Sequence, residues 1–149
     1  MKKYLFLSMA AIAALFTFAS CGDDDEIEPD DINLEDVKVD KAKFTETTNQ
    51  MVLTYTISFP GLSSEKVDVK HTVGFQGDAC SSFITEYTYS KEAYAKQSYE
   101  DAMANKDEDD LTVYSYKGKV YKEDETAYYK GQSKDEIREY LKFLEGSIK

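Results

Sequence analysis

Hydrophobic and polar residues alternate with period two over three consecutive stretches of this chain, which predicts the centre of a β-sheet. In Met51 to Phe59, the residues Met51, Leu53, Tyr55, Ile57 and Phe59 share one face, with Thr54, Thr56 and Ser58 on the other. Pro60-Gly61 ends that run. Val67 to Phe75 then sets Val67, Val69, His71, Val73 and Phe75 against Asp68, Lys70 and Thr72. The two predict an antiparallel hairpin with one face on the core and one toward water. After the turn Gln76-Gly77-Asp78, a third strand from Ser81 to Tyr89 places Phe83, Thr85, Tyr87 and Tyr89 together. Val37 to Lys41 alternates weakly and predicts a short edge strand ahead of these.

The period then lengthens. Ser90 is a candidate N-cap for a helix over Lys91 to Asn105, whose less polar stripe is Tyr94, Ala95, Ser98, Tyr99, Ala102 and Met103. Asp107-Glu108-Asp109-Asp110 reads as an exposed loop, without the ligand spacing or central glycine of an EF-hand. Leu111 to Tyr116 and Lys119 to Lys122 predict a hairpin around Lys117-Gly118, with Tyr114 opposite Tyr121. Glu123-Asp124-Glu125 breaks the pattern, and Thr126 to Lys130 reads as one more strand, ended by Gly131. Ser133-Lys134-Asp135-Glu136 is a capping box opening a last helix, with Ile137, Tyr140, Leu141, Leu144 and Ile148 at helical spacing and Gly146 as its stop. Strands, helix, strands, helix is the order of an α+β domain: an antiparallel sheet of about 5–6 strands with two helices packed on one face.

The N-terminus follows a different grammar. Lys2 and Lys3 precede an apolar run from Tyr4 to Phe18, which is shorter than a membrane span of about 20 residues. Phe18-Ala19-Ser20-Cys21 resembles a bacterial lipobox, although phenylalanine stands where leucine is usual. The resemblance implies a signal peptide over residues 1–20 and a lipid anchor on Cys21. Gly22-Asp23-Asp24-Asp25-Glu26 resembles the acidic surface-export signal on lipoproteins of the Bacteroidota. This implies an outer-membrane protein displayed at the cell surface and held to the membrane by its N-terminal lipid. Residues 21–36 are acidic, contain Pro29 and show no apolar period, so they read as a tether to a single domain over 37–149.

Loss of Lys2 and Lys3 with the signal takes the formal net charge from −11 to −13. Such a chain repels phosphate backbones, which argues against nucleic acid as a partner. Cys21 and Cys80 are its two cysteines; lipidation of the first leaves Cys80 unpaired, and it reads as a small buried residue. The single histidine, His71, falls on an apolar strand face and reads as a packed, hydrogen-bonded residue. With one histidine and one available cysteine the common zinc sites are excluded. The chain has no nucleophile elbow, phosphate loop or dinucleotide fingerprint, so neither a catalytic residue nor a cofactor is assigned. A glycosidase needs only two carboxylates, but no pair can be singled out among 29 acidic residues.

The expected function is therefore non-enzymatic: a cell-surface binding or accessory module for an extracellular glycan or protein. Tyrosine is abundant and serves binding surfaces. Tyr87, Tyr89, Tyr114, Tyr116, Tyr128 and Tyr129 are the candidate ligand contacts, provided they are exposed. The alternative is an acidic inhibitor or immunity-type lipoprotein, steered electrostatically onto a basic toxin or enzyme.

Overall fold

The computed structural model describes residues 38–58 and 64–147. The signal peptide, Cys21, the acidic run Gly22 to Glu26 and the tether lie outside the described residues, as do Phe59, Pro60-Gly61 and Ile148. Six strands form one antiparallel sheet: β1 (Lys38–Glu46), β2 (Gln50–Ser58), β3 (Lys66–Gln76), β4 (Ala79–Thr88), β5 (Val113–Lys117) and β6 (Val120–Asp124). Their spatial order is β1-β2-β3-β4-β6-β5. Three helices are found among the described residues: α1 (Glu92–Ala104), α2 (Thr126–Tyr129) and α3 (Lys134–Ser147). The architecture is α+β. Among the described residues no helix is long and apolar enough to cross a membrane.

The period-two stretches pair in phase. Met51 lies opposite Val73 and Val73 opposite Phe83; Tyr55 opposite Val69, Val69 opposite Tyr87 and Tyr87 opposite Tyr121. All of these side chains point to one face of the sheet, and both long helices pack there. At one end α1 brings Tyr94, Ala95 and Ala102 onto Ile57, Val67, Tyr89 and Tyr121. At the other α3 brings Ile137 and Leu141 onto Met51, Val73, Phe75 and Phe83. The opposite face carries Thr54, Lys70, Glu86 and Lys122 in one cross-strand row, and among the described residues no helix lies on it.

β1 is longer than the weak alternation predicts, because a bulge corrects its phase. Two residues, Lys41 and Ala42, sit between partners of Thr56 and Thr54, and Lys41 takes a φ of 58°. The extra residue lets both Val39 and Phe44 face inward, opposite Ile57 and Leu53. A second bulge lies between Gly74 and Phe75, where a Cβ on Gly74 would stand 2.6 Å from the Ser82 hydroxyl.

Several local predictions are corrected. Ser90 does not cap α1: its hydroxyl donates to Glu65, and Lys91 occupies the cap position without a side-chain bond. The hairpin turns on Gly118-Lys119, so Tyr121 faces Tyr116 and Tyr114 faces Glu123. Gly118, at a φ of 56°, holds the first central position, where a type II′ turn requires glycine. Thr126 to Lys130 is not a strand: Thr126–Tyr129 is one helical turn. The Thr126 amide donates to Asp124 Oδ1 at 3.0 Å, and its hydroxyl accepts the Phe83 amide at 3.0 Å, which turns the chain out of the sheet. Helix α3 runs through Gly146 to Ser147.

The capping box forms as predicted. Glu136 Oε2 accepts from the Ser133 amide and hydroxyl, each at 3.0 Å, and the Glu136 amide lies 3.3 Å from the Ser133 hydroxyl. Arg138 then ties α3 to the β1 edge through two bonds to Glu46, at 2.9 and 2.6 Å. Replacing Ser133 by Ala is expected to lower stability by about 1 kcal/mol, measured by urea unfolding, whereas Ser90→Ala should not show a cap-sized loss.

Candidate functional site

Between the two apolar ends of the core runs a polar seam. Leu53, His71, Thr85, Glu123 and Tyr114 are successive cross-strand partners from β2 to β5. Three of them are polar and nearly inaccessible: His71 is 7% exposed, Thr85 1% and Glu123 1%, with Glu125 beside them at 6%. The charged run Glu123-Asp124-Glu125, which the sequence suggests is a break, instead ends β6 with two carboxylates turned inward. Strand periodicity places them there, since Tyr121, Glu123 and Glu125 fall at alternate positions.

Buried polar groups persist only when hydrogen-bonded, and here they serve one another. Tyr121 donates to Glu123 Oε1 at 2.8 Å and Tyr87 to Oε2 at 3.4 Å. Thr85 donates to Glu125 Oε2 at 3.3 Å. Its one proton thus committed, Thr85 accepts from His71 Nδ1 at 2.9 Å. That puts the ring proton on Nδ1 and leaves Nε2 to accept from the Tyr55 hydroxyl at 3.0 Å. The directed chain runs Tyr55, His71, Thr85, Glu125.

None of these contacts is with a cation. Burial therefore governs the acids: it pushes Glu123 up to about 8, against the opposing hydrogen bond from Tyr121, and Glu125 up to about 7, against that from Thr85. Burial pulls His71 down to about 4, so the ring is neutral. Tyr87 and Tyr121 are raised by burial and then by the Glu123 charge. The seam holds protons that the same groups would release in water. Among the described residues, no group of three or more His, Cys, Asp or Glu side chains converges as a metal site requires.

The six candidate tyrosines divide. Tyr87, Tyr89 and Tyr129 are each 3% exposed and belong to the core, so they offer a ligand no surface. Tyr87 stacks on Tyr121 at 5.6 Å, Tyr129 stacks on Phe83 at 4.1 Å, and the Tyr89 hydroxyl bonds Ser98 at 2.7 Å. Tyr114 is half-buried, with its ring 6.3 Å from Tyr121 and its hydroxyl on Asp110 Oδ2 at 2.6 Å. Tyr128 is 40% exposed and donates to Asp110 Oδ1 at 3.1 Å. Asp110 is thus an anchor within the acidic loop. Burial would raise its carboxyl, but hydrogen bonds from Tyr114, Thr112 and Tyr128 hold it below the usual range. Tyr116 is 36% exposed, with its ring 5.2 Å from Tyr99 of α1.

Along β5, Tyr116 lies on the helix-bearing side of the sheet and Val113 on the opposite side. Leu111 and Val113 are more than half exposed, and Met103 at the end of α1 is also open. β5 ends the sheet, and among the described residues nothing pairs with its outer edge. The other edge is unlike it: β1 carries Lys38, Lys41 and Lys43 and is kinked by its bulge, features that discourage strand addition. An unpaired edge with an exposed apolar or aromatic side chain on each of its faces suits an extended polypeptide. No family model, curated protein or solved structure matches this chain.

Proposed function

We propose that this protein is a lipid-anchored surface lipoprotein of the outer membrane that binds a polypeptide outside the cell through the β5 edge, without catalysing a reaction. The observation that carries this reading is the open β5 edge with Leu111, Val113 and Tyr116 exposed along it. Cys21 would carry the lipid and Gly22 to Glu26 the export signal. The tether leads into β1, which lies five strands from β5 across the sheet, or about 24 Å at roughly 4.8 Å per strand. The docking edge is thus on the side of the sheet away from the anchored end. A protein fits better than a glycan, because a sugar platform needs open aromatic faces. Three of the six tyrosines are buried, and the hydroxyls of Tyr114 and Tyr128 are committed to Asp110.

The test places a photo-crosslinking amino acid at position 116 of the full chain in intact cells. The expected product is a covalent polypeptide adduct that external protease trims without lysis. Absence of any polypeptide adduct, or an adduct fully protected from protease, would overturn the reading.

A further inference from the structure

We infer that the polypeptide docking on β5 is a second copy of this chain, paired antiparallel about a two-fold axis through Ser115. The inference rests on the reading of β5 as the docking edge and names its occupant.

The hairpin decides which backbone groups are free. Lys117 faces Val120 across a two-residue turn, so that pair exchanges hydrogen bonds, and alternation assigns the same to Ser115 with Lys122 and Val113 with Asp124. The amide and carbonyl groups of Tyr114 and Tyr116 then point away from β6. An antiparallel copy centred on Ser115 sets Tyr114 of one chain opposite Tyr116 of the other, twice. Each pair exchanges two bonds, so the free groups satisfy one another without a register slip. Tyrosine also meets tyrosine on the helix-bearing face, a favourable cross-strand pairing.

Charge selects the same orientation. The acidic run Asp107-Glu108-Asp109-Asp110 ends two residues before β5, and the strand itself closes on Lys117, with Lys119 in the turn beyond it. Antiparallel self-pairing brings the basic end of one strand to the acidic end of the other at both ends of the interface. A parallel arrangement would oppose like charges at both ends. This local complementarity works against the repulsion between two acidic molecules. Confinement of tethered chains to a membrane surface would raise their effective concentration, which a short interface of this kind needs.

The register makes the test sharp. Ser115 faces its own copy as a non-hydrogen-bonded pair, where Cα atoms stand about 4.5 Å apart, within disulfide range. In the full chain on intact cells treated with a mild oxidant, Ser115→Cys is expected to give a covalent homodimer. Val113→Cys and Lys117→Cys, which face each other across the axis, should link only when co-expressed. The wild type, whose Cys80 is buried, supplies the baseline. Equal self-linking of Val113→Cys and Lys117→Cys would indicate random collision and overturn the two-fold register. Failure of both Ser115→Cys and the mixed pair to link overturns self-pairing. A position-116 adduct to a different polypeptide would then leave the docking edge standing, whereas no adduct at all would remove both.

Discussion

Raising the pH from about 5 to about 8.5 is expected to destabilise this domain by several kcal/mol, although the protein is acidic. The cause is the seam. Glu123 and Glu125 titrate near the ordinary 4.5 in the unfolded chain, but at about 8 and about 7 in the fold. Between those values the folded state binds protons that the unfolded state has released, so stability falls as pH rises. The contribution is intact below about 4.5 and is lost through about 8. His71 opposes this over a lower window. Its folded value of about 4 lies below the ordinary 6.5, so between those values the histidine strengthens the fold as pH rises. Two carboxylates outweigh one imidazole up to about pH 6.5, and above it they act alone. A tenfold change in proton affinity corresponds to about 1.4 kcal/mol, and relaxation of the seam would reduce the full sum. Urea unfolding across this range should show the decline. Glu123→Gln keeps the shape and removes the charge, so it should flatten the slope, costing about 1 kcal/mol at low pH and stabilising at high pH. A wild-type stability that is flat or rising toward pH 8.5 would show that water or a cation reaches the two carboxylates.

The same seam marks the boundary of what the sequence makes legible. β2, β3 and β4 are readable because every second residue is apolar and β-favouring, and a slip of one position would expose the whole set. The α3 start is readable because a capping box is local: its donors and acceptors are three residues apart. Apart from the bond that Tyr121 donates to Glu123, the partners of Glu123 and Glu125 are far away in the chain, at separations of 36 and 40 residues for Tyr87 and Thr85. Without register, a run of three acids reads as solvent-facing, since burying carboxylates is costly. The turn residues of the β5–β6 hairpin are ambiguous for another reason. Turning on Lys117-Gly118 or on Gly118-Lys119 leaves Tyr114, Tyr116 and Tyr121 on one face, so alternation cannot choose, and the glycine position in the turn does. Thr126 to Tyr129 is strand-favouring by composition, yet a hydroxyl bond to Phe83 and burial of Tyr129 prevail. Exposure divides the candidate tyrosines in the same way: Tyr87 and Tyr89 continue the alternation of β4 inward, while Tyr116 faces the same way from an edge strand, where Tyr99 of α1 covers it only in part.

Phe83 is where these distant contacts meet, and Phe83→Ala is expected to cost about 3–5 kcal/mol. It is 1% exposed at the α3 end of the core. Its ring stacks on Tyr129 at 4.1 Å with an interplanar angle of 18°, and lies 6.2 Å from the His71 ring and 6.3 Å from that of Tyr140. It therefore supports α2, α3 and the seam together. Its backbone bonds to Thr126 and Glu125 hold α2 in place, so the strands cannot readily close over the space a smaller side chain leaves. A cavity that does not collapse puts the cost toward the upper end of that range. Against a total stability of about 5–15 kcal/mol for a typical domain, the loss is large, and the melting temperature should drop by roughly 15 °C or more. Met103→Ala, at a position 46% exposed, is the control and should stay within about 0.5 kcal/mol of wild type. A Phe83→Ala protein as stable as that control would mean that Tyr129 and α3 are held without the Phe83 ring, and that the two ends of the core do not depend on each other through β4.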